Sequence, residues 1–248
     1  MFQWTQDQKN IINASIAARV EETRMIHKII PISERNDSTR GVHIDEPKKK
    51  GNKKVGIKSR TKLYPFHEII EPMVVTRSQA ADPELTDVLR AVRQAATYLA
   101  AKHDRICIKE LRKNSRKSGN KLQIIKGNGS KSLISAVMDA LLELQKHGYI
   151  DAYFLILGNE LYVDAIKHGK NKIEALLNSD TIFSSTNLGK QEGLLISCAV
   201  DVIDMVISVP PQFEHLRDGK DGNPECRVYE EFRMRLKDKD SIVRLVRE

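Results

Sequence analysis

The sequence predicts an α+β fold, and three observations predict it. Helical periodicity governs three stretches within the first 150 residues, and strand-length apolar runs dominate after residue 180. A basic run broken by glycines separates the first helix from everything that follows. The 248 residues can bury a real core, in one large domain or two interwoven ones. Apolar residues make up 40% and aromatics only 5%, so that core must be mostly aliphatic. A charged share of 30% does not make the chain disordered by composition. Lys and Arg number 41 against 33 Asp and Glu, a net charge of +8. That balance invites contact with a polyanion, and it equally describes a solvated basic surface.

Residues 5–30 read as a helix, with Ile12, Ile16 and Val20 at helical spacing and Ile26 beyond them. Thr5 or Asp7 suits its start and Pro31 its end. Its stripe either packs on the chain's own core or docks on a partner or neighbouring subunit. A polar linker, SERNDSTRG (33–41), leads to PKKKGNKKVGIKSRTK (47–62), which carries eight basic residues and no acidic one. This second segment reads as an exposed β-ribbon or loop. Its lysines suit either a nucleic-acid patch or the protection of exposed strand edges. LYPFHEIIEPMVVT (63–76) is strand-like, with Pro65 and Pro72 restricting its pairing.

Asp82 and Pro83 suit the cap and first position of a long helix, predicted to run to about His103. Leu85, Val88, Leu89, Val92, Ala96 and Leu99 form its apolar stripe. Residues 111–126 are again basic and contain the short strand LQII. A further amphipathic helix uses Leu133, Val137, Leu141 and Leu144 and stops at Gly148. YFLILG (153–158) reads as a buried strand, and two short helices follow it. TIFSS, GLLISCAV, DMVISVP, RVYEEFRMRLK and SIVRLVRE complete the chain as strands. The fourth places Val228, Glu230, Phe232, Met234 and Leu236 at a two-residue period.

Little of this points to catalysis. Gly127-Asn-Gly-Ser-Lys-Ser132 lies between strand and helix but lacks the spacing of a phosphate-binding loop. Asp218-Gly-Lys-Asp-Gly-Asn223 lacks the ligand spacing and closing Glu of a calcium loop and reads as a hairpin turn. His103-Asp104 near Cys107 suggests no nucleophile without an orienting group and a pocket, and reads instead as a cation at a helix C-terminus. Cys107, Cys198 and Cys226 are odd in number and have no metal-ligand spacing, so buried thiols in a reducing compartment are expected. No secretory signal, membrane span, metal site or cofactor motif is found, which points to a soluble intracellular protein.

Four segments, in order, resemble encapsulin shell proteins and the related capsid proteins of tailed phages. RSQAADPELTDVLRAVRQAATYLAAKHDRI (77–106) is similar to the family's Asp-Pro start and Ala-rich spine helix, with His103 replacing an acidic residue before Asp104-Arg105. SLISAVMDALLELQKHGYIDAYFLILGNELYVDAI (132–166) resembles its helix, buried strand and Gly-x-x-Leu-Tyr helix start, and is the most specific match. TIFSSTNLGKQEGLLIS (181–197) and VYEEFRMRLKDKDSIVRL (228–245) resemble the strand–loop–strand near the subunit tip and the closing strands. IIPISERNDSTRGVHID (29–45) and VISVPPQFEHL (206–216) depart from the family pattern near where encapsulins hold cargo peptides.

The resemblance implies the Hong Kong 97-type capsid fold. Its parts would be an N-terminal helix and arm (1–41), an extended E-loop and entry to the peripheral domain (42–76), and the peripheral domain with its spine helix (77–129). An axial domain (130–212) and return strands of the peripheral domain (213–248) would follow. It implies a non-enzymatic shell protein whose copies close into an icosahedral particle, an encapsulin-type nanocompartment around a cargo protein. The alternatives are a phage or prophage capsid around DNA, and a basic nucleic-acid-binding oligomer. Thr186, Asn187, Leu188, Gly189, Lys190, Gln191 and Glu192 would line a five-fold pore, with Lys190 and Glu192 setting its charge. Ile12, Ile16 and Val20 would face cargo or the inner surface. Lys48, Lys49, Lys50, Lys53, Lys54, Lys58 and Arg60 would cross a neighbouring subunit. Localisation would be cytoplasmic for a nanocompartment and the virion for a capsid.

Overall fold

The computed structural model describes residues 3–33, 41–44, 48–50, 54–56, 62–117, 123–125, 130–150, 152–177 and 181–247. Two sheets organise it. The first has the order β1-β11-β12-β6, built from Ile32–Ser33, Ile203–Asp218, Pro224–Leu236 and His67–Val74. The second has the order β7-β13-β10-β8-β9, built from Gln123–Ile125, Ile242–Arg247, Glu192–Ser197, Tyr153–Leu157 and Ile182–Ser184. Residues 213–248, expected together as return strands, thus divide: β12 pairs with β11 and β6, whereas β13 lies between β7 and β10 in the second sheet. The reason is that β13 is apolar on both faces at its start, with Ile242 and Val243 both fully buried.

Helix α1 spans Gln6–Thr23. Thr5 caps it with a reciprocal box: the Gln8 N–H donates to Thr5 Oγ1 at 3.2 Å, and the Thr5 N–H to Gln8 Oε1 at 3.0 Å. It ends well before Pro31. The N–H groups of Met25 and Ile26 donate to the Asp104 carboxylate, at 2.9 and 3.0 Å, instead of to helix carbonyls. A 3-10 turn at Ile26–Lys28 then carries the chain into β1.

Helix α2 is a short turn at Arg77–Ala80, and α3 is the long helix, Thr86–Lys117. Its 32 residues extend about 48 Å at the α-helical rise. It begins later and ends later than the periodicity predicts. Asp82 accepts from the N–H groups of Glu84 and Thr86, both at 3.1 Å, while Leu85 takes a left-handed φ of 55°. That conformation costs of order 1 kcal/mol for a branched residue and is offset by the burial of the Leu85 side chain. At the other end the apolar stripe continues through Cys107, Ile108 and Leu111, all fully buried beneath a basic surface run.

Helices α4 (Ser130–Lys146), α5 (Asn159–His168) and α6 (Lys170–Leu177) cover one face of the second sheet. Alternation assigns the faces. Leu155, Leu157 and Leu195 point toward these helices, and Ile156, Leu194 and Ile196 point into the main core with α1, α3 and the first sheet. A strand buried on both faces is why GLLIS reads as an uninterrupted apolar run. Gly148, with φ 89°, ends the α4 turn.

The basic segment forms two small antiparallel ladders. Gly41–Ile44 (β2) pairs with Lys62–Pro65 (β5), and Lys48–Lys50 (β3) with Lys54–Gly56 (β4). This agrees with a β-ribbon.

Ile12 and Ile16 are fully buried in the main core and Val20 nearly so. They belong to the chain's own interior, which corrects the expectation that they face cargo or an inner surface. Ile16→Ala should therefore destabilise the fold by about 2–5 kcal/mol in guanidinium unfolding. Ile11→Ala, at a position 51% exposed, should change it by no more than about 0.5 kcal/mol.

Candidate functional site

A network of charged side chains lies beneath the junction of α1, α3 and the first sheet. Glu230 occupies an inward position of β12, between Val228 and Phe232. Its carboxylate accepts from Arg24 Nη2 at 2.7 Å and pairs with His103 Nδ1 at 2.9 Å, and all three side chains are fully buried. Arg24 Nη1 lies 2.9 Å from His27 Nε2, and the His103 ring stacks on Phe232 with centroids 3.7 Å apart. Burial, together with the nearby Arg24 and His103, lowers the His27 pKa from 6.5 to about 3. Burial also holds His103 below its ordinary value, against the pull of Glu230 upward. Asp104 is pushed up by burial although the Met25 and Ile26 N–H groups oppose this. His103 is mid-helix, so the reading of it as a cation at a helix C-terminus is overturned by the extension of α3 to Lys117.

A second carboxylate fixes the loop before β10. Glu192 accepts from Arg112 Nη2 at 2.7 Å, from the Gly189 N–H at 3.0 Å, and from Arg244. Burial pushes its carboxyl up, but the Gly189 N–H and the two guanidiniums outweigh this and hold it below the usual range. Glu192 is therefore a buried tie between α3 and β13, and its charge is already neutralised within the chain. This corrects the expectation that it sets the charge of a pore. Leu188 is also buried. Thr186, Gly189, Lys190 and Gln191 are exposed, and Asn187 is half-buried.

The exposed part of this loop crosses the start of α5. The Lys190 carbonyl accepts from the Glu160 N–H at 3.1 Å, and Gln191 Nε2 donates to Glu160 Oε2 at 2.8 Å. Gly158 is required there: a Cβ would stand 1.9 Å from the Gly189 carbonyl oxygen. Lys190 and Glu160, 4.0 Å apart, are the charged groups this tip presents.

Lys48, Lys49, Lys50 and Lys54 lie in β3 and β4, while Lys53, Lys58 and Arg60 lie outside the described residues. The side of α1 away from the core forms with α3 an open groove of about 670 Å³, bordered by Ser15, Arg19, Arg93, Thr97 and Tyr98. Arg19 Nε donates to Thr97 Oγ1 at 2.9 Å across it. Cys107, Cys198 and Cys226 are buried free thiols. Among the described residues no group of three His, Cys, Asp or Glu could hold a metal ion, and no helix is long and apolar enough to cross a membrane. Sequence reasoning missed the Arg24–Glu230 pair, although a carboxylate within an inward-facing apolar register was its signal.

No family model matches the sequence, and no curated protein matches it. Solved structures do. A virus-like particle from Pyrococcus furiosus has a TM-score of 0.75 at 16% identity, over 95% of this chain and 98% of that one. A phage-related protein from Bordetella bronchiseptica has a TM-score of 0.69 at 12% identity, over 96% of both chains. The bacteriophage PhiM1 mature capsid has a TM-score of 0.63 at 9% identity, over 90% of this chain and 87% of that one. The shared property is the fold. The chain has an α+β architecture of the Hong Kong 97 type.

Glu230→Gln should destabilise the chain by about 3–5 kcal/mol, because it leaves Arg24 charged and buried. The double variant with Arg24→Met should lose less than the sum of the two single losses, in a cycle read by guanidinium unfolding. The histidines give a pH dependence of definite sign. A His27 pKa lowered from 6.5 to about 3 leaves stability undiminished above 6.5, and stability falls as pH drops through that window because only the unfolded chain gains the proton. Each group contributes up to about 1.4 kcal/mol per pH unit. His27→Gln should therefore reduce the loss of stability between pH 6.5 and 5 while His103 retains its share.

Proposed function

We propose that this chain is a structural subunit whose copies close into an icosahedral shell. The observation that carries this reading is the two-way correspondence, nearly end to end, with the chain of an archaeal virus-like particle. Physical features of the single chain support it. Two-stranded ladders such as β2–β5 and β3–β4 are marginal in water by themselves and gain stability when a neighbour covers them. Strand β6 is an edge of the first sheet, and Ile70 and Val74 stand exposed on one of its faces. Repetition of the same patches about closed symmetry buries them in every copy.

In this reading residues 42–76 extend over a neighbouring subunit and bring Lys48 to Arg60 to it. The segments 77–129 and 130–212 act as the peripheral and axial parts. The tip formed by Thr186, Gly189, Lys190 and Gln191 meets its symmetry mates, and the Lys190–Glu160 pair sets the charge there. The compact encapsulin-type nanocompartment, enclosing a cargo protein in the cytoplasm, is the first reading, supported by the similarity of this chain to that of the archaeal virus-like particle. The groove between α1 and α3 is the surface that α1 leaves open for such cargo. A phage or prophage capsid around DNA is the second reading, favoured by the concentration of basic charge in residues 47–62 and 102–131.

Negative-stain electron microscopy of the purified protein should show uniform closed particles, and their ultraviolet absorbance ratio reads nucleic acid against protein content. Small oligomers at every concentration, persisting when neighbouring genes are co-expressed, would refute the shell. Replacing Lys48, Lys49, Lys50, Lys53 and Lys54 by Glu should abolish closed particles with little change in unfolding midpoint, since a surface ion pair contributes only about 0–1 kcal/mol within a chain.

A further inference from the structure

The positive charge of this chain is segregated. Residues 102–131 hold ten Lys and Arg against two acids, and residues 47–62 hold eight against none. The remainder carries 23 basic and 31 acidic residues and is net negative. The first of these regions includes the C-terminal half of α3, where the two acids are committed inward. Asp104 binds the Met25 and Ile26 N–H groups, and Glu110 binds His67 at 2.9 Å and Arg233 at 3.1 Å.

On the other side of the helix Arg105, Lys109 and Lys113 recur every four residues and are exposed. With Lys102 they fall within an arc of about 80° and stand about 6 Å apart along the axis. Lys102 is paired with Glu71 at 2.6 Å. Arg105, Lys109 and Lys113 have no acidic partner among the described residues, in contrast to Arg112, Arg233 and Arg244. Stabilisation of the helix dipole does not account for them. That effect is confined to the last turn, and Arg105 and Lys109 lie about 18 and 12 Å from the Lys117 end.

A straight row of unneutralised cations on a rigid helix is complementary to a polyanion with regularly spaced charges. We propose that this face of α3 binds the phosphate backbone of nucleic acid, without base specificity. Affinity comes from release of condensed counterions, one set for each phosphate contacted. The inference needs only the single subunit and stands or falls apart from whether copies close into a shell.

The test uses the full-length protein, with subunits held dissociated by dilution, and a fluorescent 20-base-pair duplex read by anisotropy across a salt series. The triple variant Arg105→Gln, Lys109→Gln, Lys113→Gln should lower the logarithmic salt slope by about 2.7, close to 0.9 for each phosphate no longer neutralised. A control with the same loss of charge elsewhere, Lys9→Gln, Lys172→Gln, Lys220→Gln, should change it by less than about 1. The charge-preserving variant Arg105→Lys, Lys109→Arg, Lys113→Arg should bind as the parent does. An unchanged slope in the stripe variant, or an equal loss in the control, overturns the proposal. Particles that vanish in the stripe variant while duplex affinity stays intact also overturn it, since the stripe would then meet an acidic face of a second copy.

Discussion

Glu230 sits in the apolar register of a strand, where an unpaired carboxylate would cost several kcal/mol, and the surrounding chain is arranged to meet that cost. Arg24 comes from the end of α1, His103 from the middle of α3 and Glu230 from β12, so one cluster joins segments some 200 residues apart. Its presence fixes where α1 stops. Arg24 must enter the core, and Asp104 then takes the next two N–H groups from the helix ladder. The N-terminal helix cannot swing away without leaving a guanidinium or a carboxylate buried alone. Such a pair adds little net stability, but removal of either partner is strongly destabilising.

Glu192 repeats the device nearer the C-terminal end of the long helix. Arg112 from α3 and Arg244 from β13 converge on it, and the loop 186–191 is held against the first turn of α5. The two clusters together make α3 a rigid member to which both sheets are bolted through buried charge. What remains for interaction is the periphery: the β2–β5 and β3–β4 ladders, the edge of β6, the tip at Lys190, and the basic row along α3. A core whose buried carboxylates Glu230 and Glu192 are paired, with two-stranded ladders and an open sheet edge at its periphery, suits the self-assembly proposed above.

Much of this architecture was legible in the sequence because periodicity reports burial. The Leu133 to Leu144 stripe, the uninterrupted YFLIL and GLLIS runs and the alternation of β12 each identify an element and its inward face. Boundaries were less legible, since tertiary contacts set them. Asp104 ends α1 from across the fold, and the buried Leu85 delays the start of α3 despite an Asp-Pro signal. The extension of α3 was hidden because its apolar positions Cys107, Ile108 and Leu111 alternate with a conspicuous basic surface. Of the residues expected to line a pore, Glu192 could not be placed correctly without its arginines, which come from positions 80 residues before it and 52 after it. Ile12, Ile16 and Val20 form a stripe whose pattern is the same for a core and for a docking face, and only the packing separates the two.

We propose that a rigid subunit with open sheet edges closes on copies of itself. Sedimentation velocity of the purified full-length protein over a wide concentration range tests it most directly. A closed shell predicts one narrow boundary at a mass many times 28.2 kDa, with no ladder of intermediate sizes. A continuous exchange between monomer and small oligomers, with no large closed species at any concentration, would contradict it.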